Sequence, residues 1–269
     1  MAKIKGLPVI IRSAGERTFC LCYESVLKYI PKNMIHVVNK APFTEAMMES
    51  LRITKKFRDK WYLQIDADVV LNDNWVDVIV PYKKEVVIND NVYEVDFDVY
   101  DRFIGQSQLG VYLCNKEFDE ARLACLNKTK DMTKPEGSIR HFMEADFDAK
   151  FIYEEQIVGY HGFMQYKSDI HNRWALRACR NKDYSERFGL FKDYMDYTDG
   201  IKGKDMRIAK AGWNYGLEHQ NDFQSFMDFT KKIKAESLGY MEYLPLKIKL
   251  VGFYNEIREY MGTVTSEKK

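Results

Sequence analysis

The chain has 269 residues, with 41 Lys and Arg against 40 Asp and Glu, for a formal net charge of +1. That balance supplies no positive field of the kind general nucleic-acid binding relies on, so nucleic acid is excluded as the expected partner. The length suits one main domain plus an appendage, with a core large enough to need neither disulfides nor structural metal.

Residues 1 to 8 lack the continuous apolar core of a signal peptide, and no run of about 18 apolar residues is present to span a bilayer. The expected location is therefore the cytosol, including the inner face of the membrane. Cys20, Cys22, Cys114, Cys125 and Cys179 form no CxxC pair and read as thiols in a reducing compartment.

In chain order, Val9 to Ile11 form a short apolar strand that runs into the turn Arg12, Ser13, Ala14, Gly15. From Arg17, Phe19, Tyr23, Val26 or Leu27, and Ile30 recur at helical spacing until Pro31. Ile35 to Val38 is a second strand, ending at Asn39 and Lys40. A helix follows Pro42, carried by Phe43, Met47, Ser50, Leu51 and Phe57. Trp61 to Ile65 is a third strand, and it runs into Asp66.

Strand, helix, strand, helix, strand at this pace predicts a parallel sheet with right-handed crossovers, whose ligand site lies at the carboxyl ends of the strands. Asp66 sits at such an end. Trp75 to Val80 reads as a helix, Val86 to Phe97 and Phe103 to Cys114 as strands, Pro135 to Glu144 as a helix and Phe151 to Tyr153 as a strand. His161 falls in an expected loop. From about residue 172 aromatic and charged residues mingle at helical spacing, which predicts a helical C-terminal region.

Two carboxylates flanking one residue at the end of a buried strand repel each other unless a cation meets them. Asp66-Ala67-Asp68 could thus hold Mn2+ or Mg2+ against a diphosphate. The same string also fits a solvated turn capping the next helix, since Asn72, Asp73 and Asn74 follow. A rival with the same string is a phosphatase of the haloacid dehalogenase class, whose first Asp is a covalent nucleophile, but that motif usually ends the first strand of its domain, and here two strand and helix units precede it.

Val9-Ile-Ile-Arg-Ser13, Gln64-Ile-Asp-Ala-Asp-Val-Val-Leu71, Asn74-Trp75, Glu136 at a helix start, the strand Phe151-Ile-Tyr153 and His161, 25 residues after Glu136, together resemble the glycosyltransferase family 2 superfamily. The resemblance covers roughly residues 7 to 170. It implies a GT-A fold, a Rossmann-like, mixed and mainly parallel sheet flanked by helices, as a catalytic domain over 1–171; the helical C-terminal region read from spacing then spans 172–269 and has no counterpart in it. It implies transfer of a sugar from a UDP- or GDP-sugar to a hydroxyl of a glycan or lipid-linked acceptor, by inversion, in surface polysaccharide or glycolipid synthesis.

Carried over by position, Asp66, Asp68 and His161 would meet Mn2+ or Mg2+ and the diphosphate, with His171 in reserve. Arg12, Ser13, Asn39 and Lys40 would lie beside the nucleotide, Arg12 pairing with phosphate or stacking on the base. The general base would be Glu136; relatives carry an acid where this chain has Gly137, which leaves Glu144 and Asp146 as substitutes and a retaining outcome open. Three other functions stay in view: a non-catalytic nucleotide- or glycan-binding module, the phosphatase, and a sugar nucleotidyltransferase using Arg12-Ser-Ala-Gly-Glu-Arg17 as its phosphate loop. Leu246 to Leu250 with Phe253 combine apolar and basic side chains and suit core packing, a homodimer or peripheral membrane contact.

Overall fold

A computed structural model describes residues 3–86, 91–129, 135–180 and 203–219, together with Phe253, Asn255 and Ile257. The chain divides into two compact units, residues 1–162 and 163–269.

The first unit is built on seven strands: β1 Val9–Ser13, β2 Ile35–Asn39, β3 Trp61–Asp66, β4 Val69–Leu71, β5 Val92–Asp101, β6 Gly105–Asn115 and β7 Lys150–His161. Their order in the sheet is β2-β1-β3-β6-β5-β7-β4. The pairings β1–β2, β1–β3 and β5–β7 are parallel, whereas β3–β6, β5–β6 and β4–β7 are antiparallel. Only Ala67 and Asp68 join β3 to β4, yet three strands separate them in the sheet, so the sheet must curl to bring β4 round to the end of β3.

Strand side chains alternate between faces. Val9, Ile11, Leu63, Ile65, Val95, Phe97, Val111 and Leu113 pack on one side with Val26, Trp75 and Ile79 from helices α1 (Phe19–Leu27) and α3 (Trp75–Val86). The other side meets α2 (Phe43–Thr54), α4 (Asp119–Thr129) and α5 (Pro135–Phe147) through Met47, Leu51, Cys125, Leu126, Ile139 and Met143. On that second side the strands also carry Arg12, Gln64, Asp66, Glu94 and Asp96, and this polar strip positions the site.

The first three strands and two helices lie where the apolar pattern put them. Further along the boundaries differ. Val86 closes α3, which continues past Pro81, and β5 begins only at Val92. Phe103 lies in the turn ahead of β6, because Asp101 Oδ1 accepts from the backbone N–H of Phe103 at 2.7 Å and of Ile104 at 2.9 Å. His161 is the last residue of the 12-residue strand β7 and not a loop residue. Gly159 permits the β4–β7 pairing, since a Cβ there would lie 2.8 Å from the Val70 carbonyl oxygen.

In the second unit, the helical region expected from residue 172 begins with α6 (Lys167–Arg180), and α7 spans Gly203–Glu218. The two helices pack closely: a Cβ on Gly212 would sit 2.2 Å from the His171 carbonyl oxygen, and one on Gly216 2.2 Å from that of Ala175. Trp174 and Trp213 meet edge to face beside them. Phe253 is buried and packs on Phe163, while the rest of the Leu246 to Phe253 stretch lies outside the described residues. No helix among the described residues is long and apolar enough to cross a membrane.

Candidate active site

Arg12, Asp66 and Glu136 meet at the carboxyl ends of β1 and β3 and the start of α5. Arg12 Nε donates to Asp66 Oδ1 at 2.7 Å, and a terminal nitrogen donates to Glu136 Oε1 at 3.1 Å. The guanidinium lies over the rings of Phe43 and Tyr112, 4.6 and 5.6 Å from their centroids. Its side chain is only 2% exposed, and it holds the two acids in place. Phe43, expected on the buried stripe of α2, is instead 39% exposed and covers this arginine.

Burial raises the Asp66 carboxyl to about 7 and outweighs the opposing Arg12 charge, with Glu136 and Asp68 adding to the rise. Gly110, with φ of +75°, passes directly over this acid: a Cβ there would stand 3.1 Å from Asp66 Cβ and 3.2 Å from its Oδ2.

The second acid of the pair meets a different partner. Val69 pairs with His161 across β4 and β7, and Asp101 pairs with His161 across β5 and β7, so three strand ends converge. His161 Nε2 lies 3.1 Å from Asp68 Oδ2, and its Nδ1 lies 2.5 Å from Asp101 Oδ2. Sequence reading singled out Asp68 and His161 but missed Asp101, whose role emerges only from strand register.

Among the described residues no group of three His, Cys, Asp or Glu side chains could by itself hold a metal ion. A donor pair is present in Asp68 and His161. Two adjacent ligands of an octahedral ion, each bonded at about 2.1 Å, stand about 3 Å apart, and the 3.1 Å between Nε2 and Oδ2 matches that spacing. The pair therefore fits a divalent ion whose other positions are filled by phosphate oxygens and water. Asp66 Oδ1 is held by Arg12 at 2.7 Å.

Ser13 and Asn39 pair across the ends of β1 and β2, and the Lys40 N–H donates to the Ser13 carbonyl at 3.1 Å. Ser13 Oγ donates to Glu16 Oε2 at 2.9 Å, and the Ala14 N–H donates to the same oxygen at 2.7 Å. The turn's own carboxylate thus occupies the amide that a phosphate loop would present. Lys40 Nζ lies 3.6 Å from Glu49 Oε2 on the surface. His171 belongs to α6 and meets the Tyr215 ring at a tilt within the second unit.

A further buried network adjoins Glu136. Arg140 bonds Glu94 Oε1 at 3.1 Å and also Asp96 Oδ2. Arg122 bonds Glu94 Oε2 at 3.0 Å and the Tyr62 hydroxyl at 2.8 Å. Burial, reinforced by Glu94 and opposed by Arg140, pushes the Asp96 carboxyl up to about 8. Its folded value thus exceeds its unfolded one, so its stabilising contribution is complete below about pH 4 and is lost as pH rises towards 8. Urea unfolding of Asp96→Asn between pH 5 and 8 should show a flatter decline than the parent, by up to about 1.4 kcal/mol per pH unit. Parallel profiles for the two proteins would rule this out.

No protein-family model and no curated protein matches the chain. Solved structures do resemble it. A glycosyltransferase involved in glycosylation of the major capsid of PBCV-1 is 11% identical with a TM-score of 0.43, over 61% of this chain and 95% of that one. A mannosyltransferase from Pyrobaculum calidifontis, in complex with GDP-Man and Mn2+, is 11% identical with a TM-score of 0.42, over 96% of this chain and 87% of that one. A cytidylyltransferase from Leptospira borgpetersenii is 11% identical with a TM-score of 0.37, over 72% of this chain and 94% of that one. Likeness at these values says nothing of activity.

Proposed function

We propose that the chain is a glycosyltransferase that uses a UDP- or GDP-sugar and a divalent ion to glycosylate a hydroxyl of a glycan or lipid-linked acceptor. The observation that carries this reading is the Asp68–His161 pair, set at 3.1 Å beside the carboxyl end of β3 and next to the Arg12, Asp66 and Glu136 cluster. Asp68 Oδ2 and His161 Nε2 would hold Mn2+ or Mg2+, and an imidazole donor favours Mn2+. When bound, that ion offsets the charge developing on the departing nucleoside diphosphate.

The chain's own groups do the rest. Glu136 is tethered at Oε1 by Arg12, which leaves Oε2 to take the proton of an attacking acceptor hydroxyl in an inverting displacement. Asp66, held by the same arginine, adds negative charge beside Asp68 as it ionises near pH 7, which favours a cation there. The turn after β1 disfavours the nucleotidyltransferase reading, because Glu16 fills its amide. The phosphatase motif usually ends the first strand of its domain, whereas Asp66 ends the third strand, β3.

The test is a thermal-shift screen of UDP, GDP and their sugars, with and without Mn2+. A ligand at a hundred times its Kd adds about 2.7 kcal/mol to folding stability, or about 5–10 °C in a domain of this size. The reading requires such a rise with one nucleotide and only when Mn2+ is present. A rise with no nucleotide under either condition would sink it.

A further inference from the structure

We infer that Asp101 is a positioning residue for the ion-binding pair Asp68 and His161, an inference that rests on the metal-dependent reading proposed above. Asp101 closes β5, and its side chain is fully buried. Its two oxygens do different things. Oδ1 accepts the Phe103 and Ile104 N–H groups at 2.7 and 2.9 Å, which shapes the turn into β6. Oδ2 lies 2.5 Å from His161 Nδ1. Backbone pairing fixes the meeting, since Asp101 and His161 are register partners and the Arg102 N–H donates to the His161 carbonyl at 3.0 Å.

Both Asp68 and Asp101 can only accept when ionised, and the shorter, fully buried contact to Asp101 draws the single proton of the neutral ring to Nδ1. The Nε2 lone pair then faces Asp68 Oδ2 at 3.1 Å. Two electron-rich atoms at that distance repel unless a proton or a metal ion lies between them. Asp101 therefore presents to Asp68 the nitrogen that can bind a metal, and flipping the ring or moving its proton would break the buried 2.5 Å contact. A carboxylate behind a histidine ligand fixes tautomer and orientation in this manner, and its loss typically lowers metal affinity by about 10- to 100-fold.

Asp101→Asn separates orientation from turn structure. The amide oxygen keeps the Phe103 and Ile104 contacts, while the amide nitrogen meets Nδ1 as a donor and forces the ring proton onto Nε2, where it blocks the metal. Two measurements on the intact chain read the effect: Mn2+ binding by EPR, and the 15N shifts of His161 in the metal-free protein at a pH where the ring is neutral. The parent should show the Nδ1–H tautomer and D101N the Nε2–H tautomer, with Mn2+ affinity lower in D101N by about 10- to 100-fold and the melting temperature kept. Equal Mn2+ affinities, or one tautomer in both proteins, overturn the Asp101 assignment and leave the metal site standing. A parent that binds no Mn2+ overturns the metal reading and this assignment together. If D101N does not fold, the parent spectrum alone decides, because an Nε2–H ring there overturns the assignment.

Discussion

Asp68→Ala should lower sugar transfer by about 1000-fold or more, with the folded state retained. A metal clamp on a departing diphosphate contributes several kcal/mol of charge stabilisation, and each 1.36 kcal/mol is tenfold in rate. Asp68 gives the pair its only carboxylate, and its partner His161 stays anchored by Asp101 when it is removed. The loss should therefore fall on turnover and not on folding: the melting temperature stays near that of the parent, while the Mn2+-dependent part of the nucleotide shift disappears. The assay is release of nucleoside diphosphate from whichever sugar nucleotide the thermal screen selects. Parental turnover in Asp68→Ala would remove the ion from the mechanism, whatever its effect on stability.

The parts of this site visible in the sequence were those that depend on local pattern. Val9 to Ile11 and Trp61 to Ile65 are buried runs, so their apolar character marks them as strands and puts Asp66 and Asp68 at a strand end. The helix start at Pro135 brought Glu136 into view for the same reason. Other features depend on distant neighbours. α4 carries a core-facing Arg122 satisfied by Glu94 and Tyr62, which hides its apolar stripe, and no element was expected there. Strand β7 carries the polar run Glu154, Glu155 and Gln156 along its middle, the last two exposed, so only Phe151 to Tyr153 stood out. Asp101 became visible once β5 and β7 were seen side by side. Arginine is almost never fully buried unless paired, and the pairing of Arg12 with Asp66 and Glu136 became visible only in the fold.

That pairing sets the largest stability effect expected of a single substitution. Arg12→Met keeps much of the side chain's length between Phe43 and Tyr112 but removes the charge that Asp66 and Glu136 share. Removing one partner of a buried ion pair leaves the other uncompensated, at about 3–5 kcal/mol, or about 6–20 °C of melting temperature in a domain of this size. The deficit should depend on pH. Asp66 already titrates near 7 with Arg12 in place because burial dominates, and without the arginine its value rises further. Below pH 6 Asp66 is neutral and the cost falls to the lost Glu136 contact; above pH 8 the full penalty returns. Asp66→Asn in the Arg12→Met background should recover part of the loss and flatten its pH dependence, since a buried pair replaced on both sides is often nearly neutral. A deficit equal at pH 5 and pH 8 would place the damage in packing against Phe43 and Tyr112. The same double variant should still lack turnover, because Glu136 would have lost the contact that orients its free oxygen.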